Sequence, residues 1–243
     1  EFTDWKEAKI CVALSQGTPW LLTVRADLAV ERGDVKSLRG LRFTAAEGPD
    51  LVFKQMLRSG GLDPENDLEI IELPGAKERD VSFGVFAAQG LQEGKIDGFW
   101  ANAMGAETAV TSRIGKIHVD VRRGDDPGDI RFATFAGLAT TDDYLAREPE
   151  AIDAAVRAIV KAQKALRADP SLAREVGNRI FPSESAALIA AIVERDAQFY
   201  DPAITEEAVL RLNSFAQSVG QLSGPVSYDQ VAASRCCPLW TGV

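Results

Sequence analysis

The sequence is poor in the residues that build metal centres and disulfide scaffolds. Its 243 residues include one histidine, His118, and three cysteines, Cys11, Cys236 and Cys237. So few imidazoles and thiols cannot supply zinc ligands at a familiar spacing or a disulfide framework. No metal site and no cofactor is expected. Bonding between the adjacent Cys236 and Cys237 would be strained, so they read as ordinary thiols, with pairing to Cys11 open in an oxidising compartment. Basic residues are also outnumbered. Against 36 Asp and Glu stand 27 Lys and Arg, a net charge of -9, and no Lys/Arg run exceeds two residues. That excludes the electrostatic footprint of a nucleic-acid partner or an anionic-membrane patch. No uninterrupted apolar run approaches the roughly 20 residues that a membrane-spanning helix needs. The chain starts at Glu1-Phe2 without Met, which leads us to expect a processed or cut chain from which any signal peptide is already gone.

What is present is a hydrophobic content of 46%, enough to build one large or two ordinary domains. The chain is organised around Leu38 to Val121. Leu41–Ala46 (LRFTAA) reads as a strand, Leu51–Leu57 as a helix with Phe53, Met56 and Leu57 on one face, and Gly60-Gly61 as its stop. Leu68–Leu73, Ile96–Ala101 and Ile117–Val121 read as further strands, with a helical run over Val81–Gln92 and another short helix after Ala101. Such alternation predicts a parallel sheet covered by helices on both faces, with ligands gathering beyond the carboxyl ends of the strands. Two strand-to-helix turns fall at such ends. In Ala46-Glu47-Gly48-Pro49-Asp50, Gly48 permits close backbone approach, Pro49 suits the first helical position, and Asp50 can cap the helix or favour its positive end. This turn either starts a helix well or also receives a ligand. In Trp100-Ala101-Asn102-Ala103, a large aromatic and an amide stand where the chain leaves the sheet. Trp100 either packs under a helix or faces a ligand.

Upstream, Ile10–Leu14 and Trp20–Val24 read as strands joined by the polar turn Ser15-Gln16-Gly17-Thr18-Pro19. Gln16 and Thr18 have donors for a ligand or for the backbone of their own turn. Arg25–Ser37 has no apolar period and reads as a connector. In the loop Pro74–Asp80, Lys77 and Arg79 are either anion contacts or a solvated charge cluster. Arg122–Asp129 is a polar linker, and Arg131–Leu138 reads as a strand making a second crossing. Beyond it the chain turns helical, over Glu150–Leu166 with Ile152, Val156, Ile159, Val160 and Leu166 on one stripe, near Ser183–Glu194, and over Glu206–Val219 with Thr205 as N-cap. No internal repeat is visible. The expected division is residues 1–37 with 123–243 in lobe one, and residues 38–122 in lobe two.

These residues resemble a known family. The run from Asp27 to Gly75, with Ser37-Leu38-Arg39-Gly40 at its opening and Gly61-Leu62 after the first helix, is followed by Phe86–Glu107 with its Ala88-to-Trp100 segment (AQGLQEGKIDGFW). Together they look like the second lobe of the solute-binding proteins of ABC importers in the nitrate/sulfonate/taurine and thiamine-precursor group. Ala155–Pro170 and the stretch ending at Leu239-Trp240 look like that family's closing helices. The resemblance runs from about Val12 to Trp240, carried by the order and spacing of the pieces. It implies a type II periplasmic-binding-protein-like α/β fold, two lobes joined by two crossings. Family members begin with a longer first-lobe segment, so lobe one is expected to be incomplete here. The positions that the resemblance places at a ligand cleft are Gln16, Gly17 and Thr18, then Glu47, Gly48, Pro49, Asp50, Trp100 and Asn102, then Thr134 and Phe135.

The resemblance further implies an extracytoplasmic, periplasmic receptor without catalytic residues. It would close on a small anionic or heteroaromatic solute and deliver it to the membrane subunits of an ABC transporter. Helix N-termini with Asn, Gln and Thr groups suit sulfonate, nitrate or carboxylate head groups without a lysine. The alternative is an enzyme on the same fold, desulfinase-like or pyrimidine-synthase-like. That chemistry needs a cysteine beside a base, and Cys11 with His118 would have to meet by chance. A transcription-regulator effector domain, the third reading, would lack the long helical stretch that follows the second crossing here.

Overall fold

The computed structural model describes residues 5–76 and 82–241. Lys77 and Arg79 therefore lie outside the described residues. The chain divides into two compact units. Unit 2 is Pro19–Arg131, and unit 1 is the chain up to Thr18 together with the chain from Phe132, so the backbone passes between them twice.

The first strand, β1 (Ala8–Ser15), belongs to unit 1. Unit 2 follows with β2 (Leu21–Arg25), β3 (Arg42–Ala45), α1 (Pro49–Ser59), β4 (Glu69–Ile70), α2 (Phe83–Gln92), β5 (Gly98–Ala101), α3 (Ala103–Thr111) and β6 (Gly115–Val119). The strand order is β4-β3-β5-β2-β6. β3 runs parallel to β4 and β5, while β2 runs antiparallel to β5 on one side and β6 on the other. The sheet is therefore mixed rather than wholly parallel. Residues Leu21, Leu22, Thr23 and Val24 are all buried, as a strand paired on both edges and covered on both faces requires. This pairing draws residues 19–37 into unit 2, so the units part at 18/19 and 131/132 instead of 37/38 and 122/123.

Side-chain alternation along β5 sorts the two faces. Trp100 turns to the α1 side, where its ring stacks on Phe53 at a centroid distance of 6.0 Å, with Phe43 5.6 Å beyond Phe53 and Trp20 6.5 Å from Trp100. Phe99 and Ala101 turn the other way, into a cluster with Ala87, Ala88, Leu91 and Ala109 of α2 and α3. Gly98 is required by the sheet itself, since a Cβ there would lie 2.8 Å from the Thr23 carbonyl oxygen. At the amino ends of β3 and β5, the nearly buried Asp97 carboxylate accepts from the Arg42 backbone N–H at 2.9 Å and from the Arg42 guanidinium at 3.0 and 3.1 Å. Arg25, at the end of β2, donates to the same carboxylate at 3.2 Å. One side chain thus ties three strands.

In unit 1, β1 pairs antiparallel with β7 (Ala136–Thr141), from Ala8 opposite Thr141 to Ser15 opposite Ala136. The expected strand over Arg131–Leu138 splits into a 3-10 turn at Ile130–Phe132 and the later β7. The helices are α4 (Asp142–Arg147), α5 (Pro149–Ala168), α6 (Leu172–Ile180), α7 (Ser183–Asp196), α8 (Glu206–Ser218) and α9 (Tyr228–Val231), followed by a 3-10 segment at Ser234–Trp240. The apolar stripe of α5 buries Ile152, Val156 and Val160 against Cys11, Val12, Ala233 and Cys236. Its buried Gln163 donates from Nε2 to the Ala13 and Leu14 carbonyls at 2.8 and 2.9 Å. Thr205 caps α8, its hydroxyl accepting from the Ala208 N–H at 3.0 Å. No described helix is long and apolar enough to cross a membrane.

Candidate functional site

Unit 2 places two of the expected segments side by side. In the parallel β3–β5 pair, Ala45 lies opposite Trp100, so the chain leaves both strands at the same carboxyl edge. Glu47, Gly48, Pro49 and Asp50 follow one strand, and Asn102 follows the other.

The two turns differ in what they offer. Gly48 takes φ +91°, a conformation open to glycine at little cost. Pro49 occupies the first turn of α1 and has no N–H. The Asp50 N–H donates to the Ala46 carbonyl at 2.9 Å, the Leu51 N–H to the Gly48 carbonyl at 3.1 Å, and the Gly48 N–H to Asp50 Oδ1 at 2.9 Å. The Gly48, Asp50 and Leu51 N–H groups are thus engaged internally, and α1 brings to the edge its dipole and the exposed Glu47.

At the second turn, Asn102 caps α3, its Oδ1 accepting from the Gly105 N–H at 3.3 Å. The N–H groups of Ala103 and Met104 have no hydrogen-bond partner among the described residues. The N-terminus of α2 joins them. A Cβ on Gly84 would lie 2.9 Å from the Gly105 nitrogen and closer still to Asn102 Oδ1, and a Cβ on Gly105 would lie 2.5 Å from the Gly84 carbonyl oxygen. Only paired glycines let the first turns of α2 and α3 approach so closely. Ser82, at the N-cap of α2, makes no side-chain capping bond. The N-termini of α2 and α3 thus meet at the carboxyl edge, with the Ala103 and Met104 N–H groups unpaired among the described residues, an arrangement that attracts a compact anion. Sequence reasoning missed α2's part in this. The available signal was a glycine in the first turn of each of two successive helices.

Trp100 is wholly buried, stacked in the α1-side core of unit 2. Of its two expected placements, packing under a helix is the one observed, and its indole N–H has no partner among the described residues.

In unit 1, the Ser15–Ala136 register brings Gln16 and Gly17 to the same end of the β1–β7 pair as Thr134 and Phe135. Both donors of the Gln16 amide are engaged, with the carbonyls of Asp201 at 3.0 Å and Ala203 at 2.8 Å. Gly17 takes φ +73°, Thr18 is wholly buried, and Phe135 packs against Ala13, Ile204, Val209 and Val231. Thr134 is half-buried. Gln16 and Phe135 thus hold parts of unit 1 together.

Three titratable groups bear on the chemistry. Burial opposes ionisation of Asp97, but the Arg42 hydrogen bonds outweigh it and hold the carboxyl below its ordinary value. Burial pushes His118 below its usual value, and its Nε2 donates to the Asp34 carbonyl at 3.1 Å. Burial raises the Cys11 thiol, the opposite of what a nucleophile requires. Among the described residues, no group of three or more His, Cys, Asp or Glu side chains is gathered where a metal ion could sit.

Comparisons with known proteins bear on this geometry. The alkanesulfonate-binding protein SsuA from Xanthomonas axonopodis pv. citri, solved with bound MOPS, matches with a TM-score of 0.66 at 14% identity, over 93% of this chain and 73% of that one. The periplasmic aliphatic sulphonate-binding protein SsuA from Escherichia coli matches with a TM-score of 0.67 at 12% identity, over 93% and 69%. The desulfurization enzyme DSZB matches with a TM-score of 0.60 at 16% identity, over 96% and 79%. At these identities the likeness is one of fold, the periplasmic-binding-protein-like α/β architecture. No curated protein matches in sequence. The family model for the NMT1-like family matches residues 25–181, well over half of the chain. The chain therefore belongs to the NMT1-like family.

Proposed function

We propose that this protein is the solute-binding component of an ABC importer, working in the periplasm or another extracytoplasmic space with the transporter's membrane subunits. Its solute is a small molecule with a sulfonate, nitrate or carboxylate head group. The observation that carries the reading is the close meeting of the first turns of α2 and α3 at the carboxyl edge of the unit 2 sheet, locked by Gly84 and Gly105, with the Ala103 and Met104 N–H groups unpaired among the described residues. Unpaired N–H groups and two positive helix ends favour such a head group without a basic side chain. The SsuA neighbours are named for sulfonate binding, which supports the choice of head group.

DSZB keeps an enzymatic reading in play, since one fold hosts unrelated functions. Against it stands the state of Cys11, which is fully buried with its thiol raised by burial. An activated nucleophile needs a lowered thiol and access.

A thermal-shift screen with taurine, alkanesulfonates, nitrate, aromatic acids and pyrimidines tests the proposal. A ligand that binds only the native state at about 100 times its Kd stabilises by about 2.7 kcal/mol. We expect a sulfonate or nitrate to raise Tm without being consumed. Conversion of a sulfinate or sulfonate to product by the purified chain would replace the receptor reading with the enzymatic one.

A further inference from the structure

Cys11 lies on β1 and Cys236 in the 3-10 segment that follows α9, yet the two meet in one apolar cluster with Val12, Val156, Val160 and Ala233. Both are completely shielded from solvent, and each thiol lies close enough to influence the ionisation of the other. The backbone around them is already stitched. The Ala233 N–H donates to the Ile10 carbonyl at 2.9 Å, Ile10 forms a parallel bridge with Ala232, and the Trp240 indole donates to the Cys11 carbonyl at 3.0 Å. The neighbouring Cys237 is turned elsewhere, with its sulfur 3.6 Å from the Tyr228 hydroxyl. The two adjacent cysteines therefore have different surroundings, and Cys236 is the one packed in the cluster with Cys11.

We propose that Cys11 and Cys236 are a redox-active pair that forms an intramolecular disulfide, leaving Cys237 free. A thiolate of the pair attacks a sulfur of an external disulfide oxidant, a small-molecule disulfide or a thiol–disulfide oxidoreductase, and releases one thiol of that oxidant. The second cysteine then displaces the other half from the mixed disulfide. Two protons leave the cysteines, two electrons pass to the oxidant, and one S–S bond forms for the one broken. The bond closes a loop of roughly 225 residues that contains all of unit 2, and so restricts the unfolded chain strongly. Burial sets the kinetics. It lifts the Cys236 thiol to about 12, and raises that of Cys11. Oxidation of the folded protein thus waits for the 3-10 segment to open, whereas a refolding chain pairs readily. The pairing is independent of what the protein binds.

The test is to refold the full chain with a mixture of glutathione and glutathione disulfide, then to count thiols and to map peptides. We expect the free thiols to fall from three to one, the mass to fall by about 2 Da, and Tm to rise by about 10 °C over the reduced protein. Trypsin releases Cys236 and Cys237 on one peptide, so variants assign the bond. Cys237→Ser should keep the link to the Cys11 peptide and the Tm rise. Cys236→Ser should lose both while its circular dichroism matches that of the reduced wild type. Three persistent thiols, a link that survives Cys236→Ser but not Cys237→Ser, a Cys236–Cys237 bond, or disulfide-linked dimers would each overturn the proposal.

Discussion

Replacing Gly84 by alanine tests the feature on which the functional reading stands. The added methyl would lie 2.9 Å from the Gly105 nitrogen and 3.0 Å from its Cα, whereas unstrained contacts of this kind sit near 3.5 Å or beyond. The nearest obstacle is the Asn102 Oδ1 that caps α3, and beside it stands helix backbone that cannot swing aside, so α2 and α3 must separate by roughly half an ångström. Overpacking of this sort costs about 1–3 kcal/mol. The better helix propensity of alanine returns up to about 1 kcal/mol, leaving a net loss of about 1–2 kcal/mol. At about 2–4 °C per kcal/mol, Tm should fall by roughly 2–8 °C, with a matching loss in urea denaturation. Gly105→Ala meets the same contact from the other side, so the double variant should lose less than the two single losses added. Gly224→Ala is the control, because nothing lies within 4 Å of its added methyl; it should stay within about 0.5 kcal/mol of the parent. The separation also shifts both N-termini, so the Tm rise given by a sulfonate or nitrate should shrink in Gly84→Ala and persist in Gly224→Ala. A Gly84→Ala protein as stable as the parent would refute the close approach of the two helices.

Other expectations follow from individual side chains. The Asp97 carboxyl is held below its unfolded value, so the folded state binds fewer protons than the unfolded one, and its contribution is present above about pH 4 and lost as pH falls through the folded value. Asp97→Asn should cost about 3 kcal/mol at pH 7, and the gap to the parent in urea titrations should narrow by pH 3; a constant gap would show that Asp97 does not titrate this way. Gln163→Leu removes both bonds to the end of β1 and should cost about 1–3 kcal/mol by chemical denaturation. In the reduced native protein, iodoacetamide should label the half-exposed Cys237 well before Cys11 and Cys236; mass spectrometry of a time course that found Cys11 labelled first would contradict its buried, raised thiol.

The elements of unit 2 were legible where local chemistry and tertiary context agree. Pro49 after a positive-φ Gly48 starts α1, Asn102 caps α3, and Phe53, Met56 and Leu57 share the buried face expected of them. What the sequence could not convey is pairing. Trp20–Val24 has the composition of a strand, but nothing local says that it inserts antiparallel between β5 and β6. Leu68–Leu73 has the apolar content of a six-residue strand, yet its pairing with β3 is short, Glu69–Ile70 with one further bond from the Ile71 N–H to the Phe43 carbonyl. The helix α6 was not anticipated, because it is short and is closed in by Pro170 and Pro182, residues that interrupt helical patterns. The candidate site was legible as turns but not as donors. A Gly-Pro-Asp turn advertises an open helix end, and the structure shows that it satisfies itself. Among the described residues the open donors belong to α3, and the glycines in the first turns of two successive helices are the one trace in the sequence of its contact with α2. Gln16 likewise offers the chemistry of a ligand contact, and only the arrival of Asp201 and Ala203 from far along the chain engages it.

The insertion of β2 has a consequence for how the protein is made. β2 is the first strand of unit 2 to leave the ribosome, and its two neighbours, β5 and β6, are the last. Until Val119 has been synthesised, Leu21–Arg25 stands without one of its partners, and the sheet around it stays open along that side. The hydrophobic run WLLTV is then an unpaired strand edge, the kind of segment that invites association between nascent chains. Closing the sheet joins segments some ninety residues apart, the slow, non-local step of folding. Destabilising substitutions in β6 should therefore reduce the yield of soluble protein more than their effect on the finished fold would suggest.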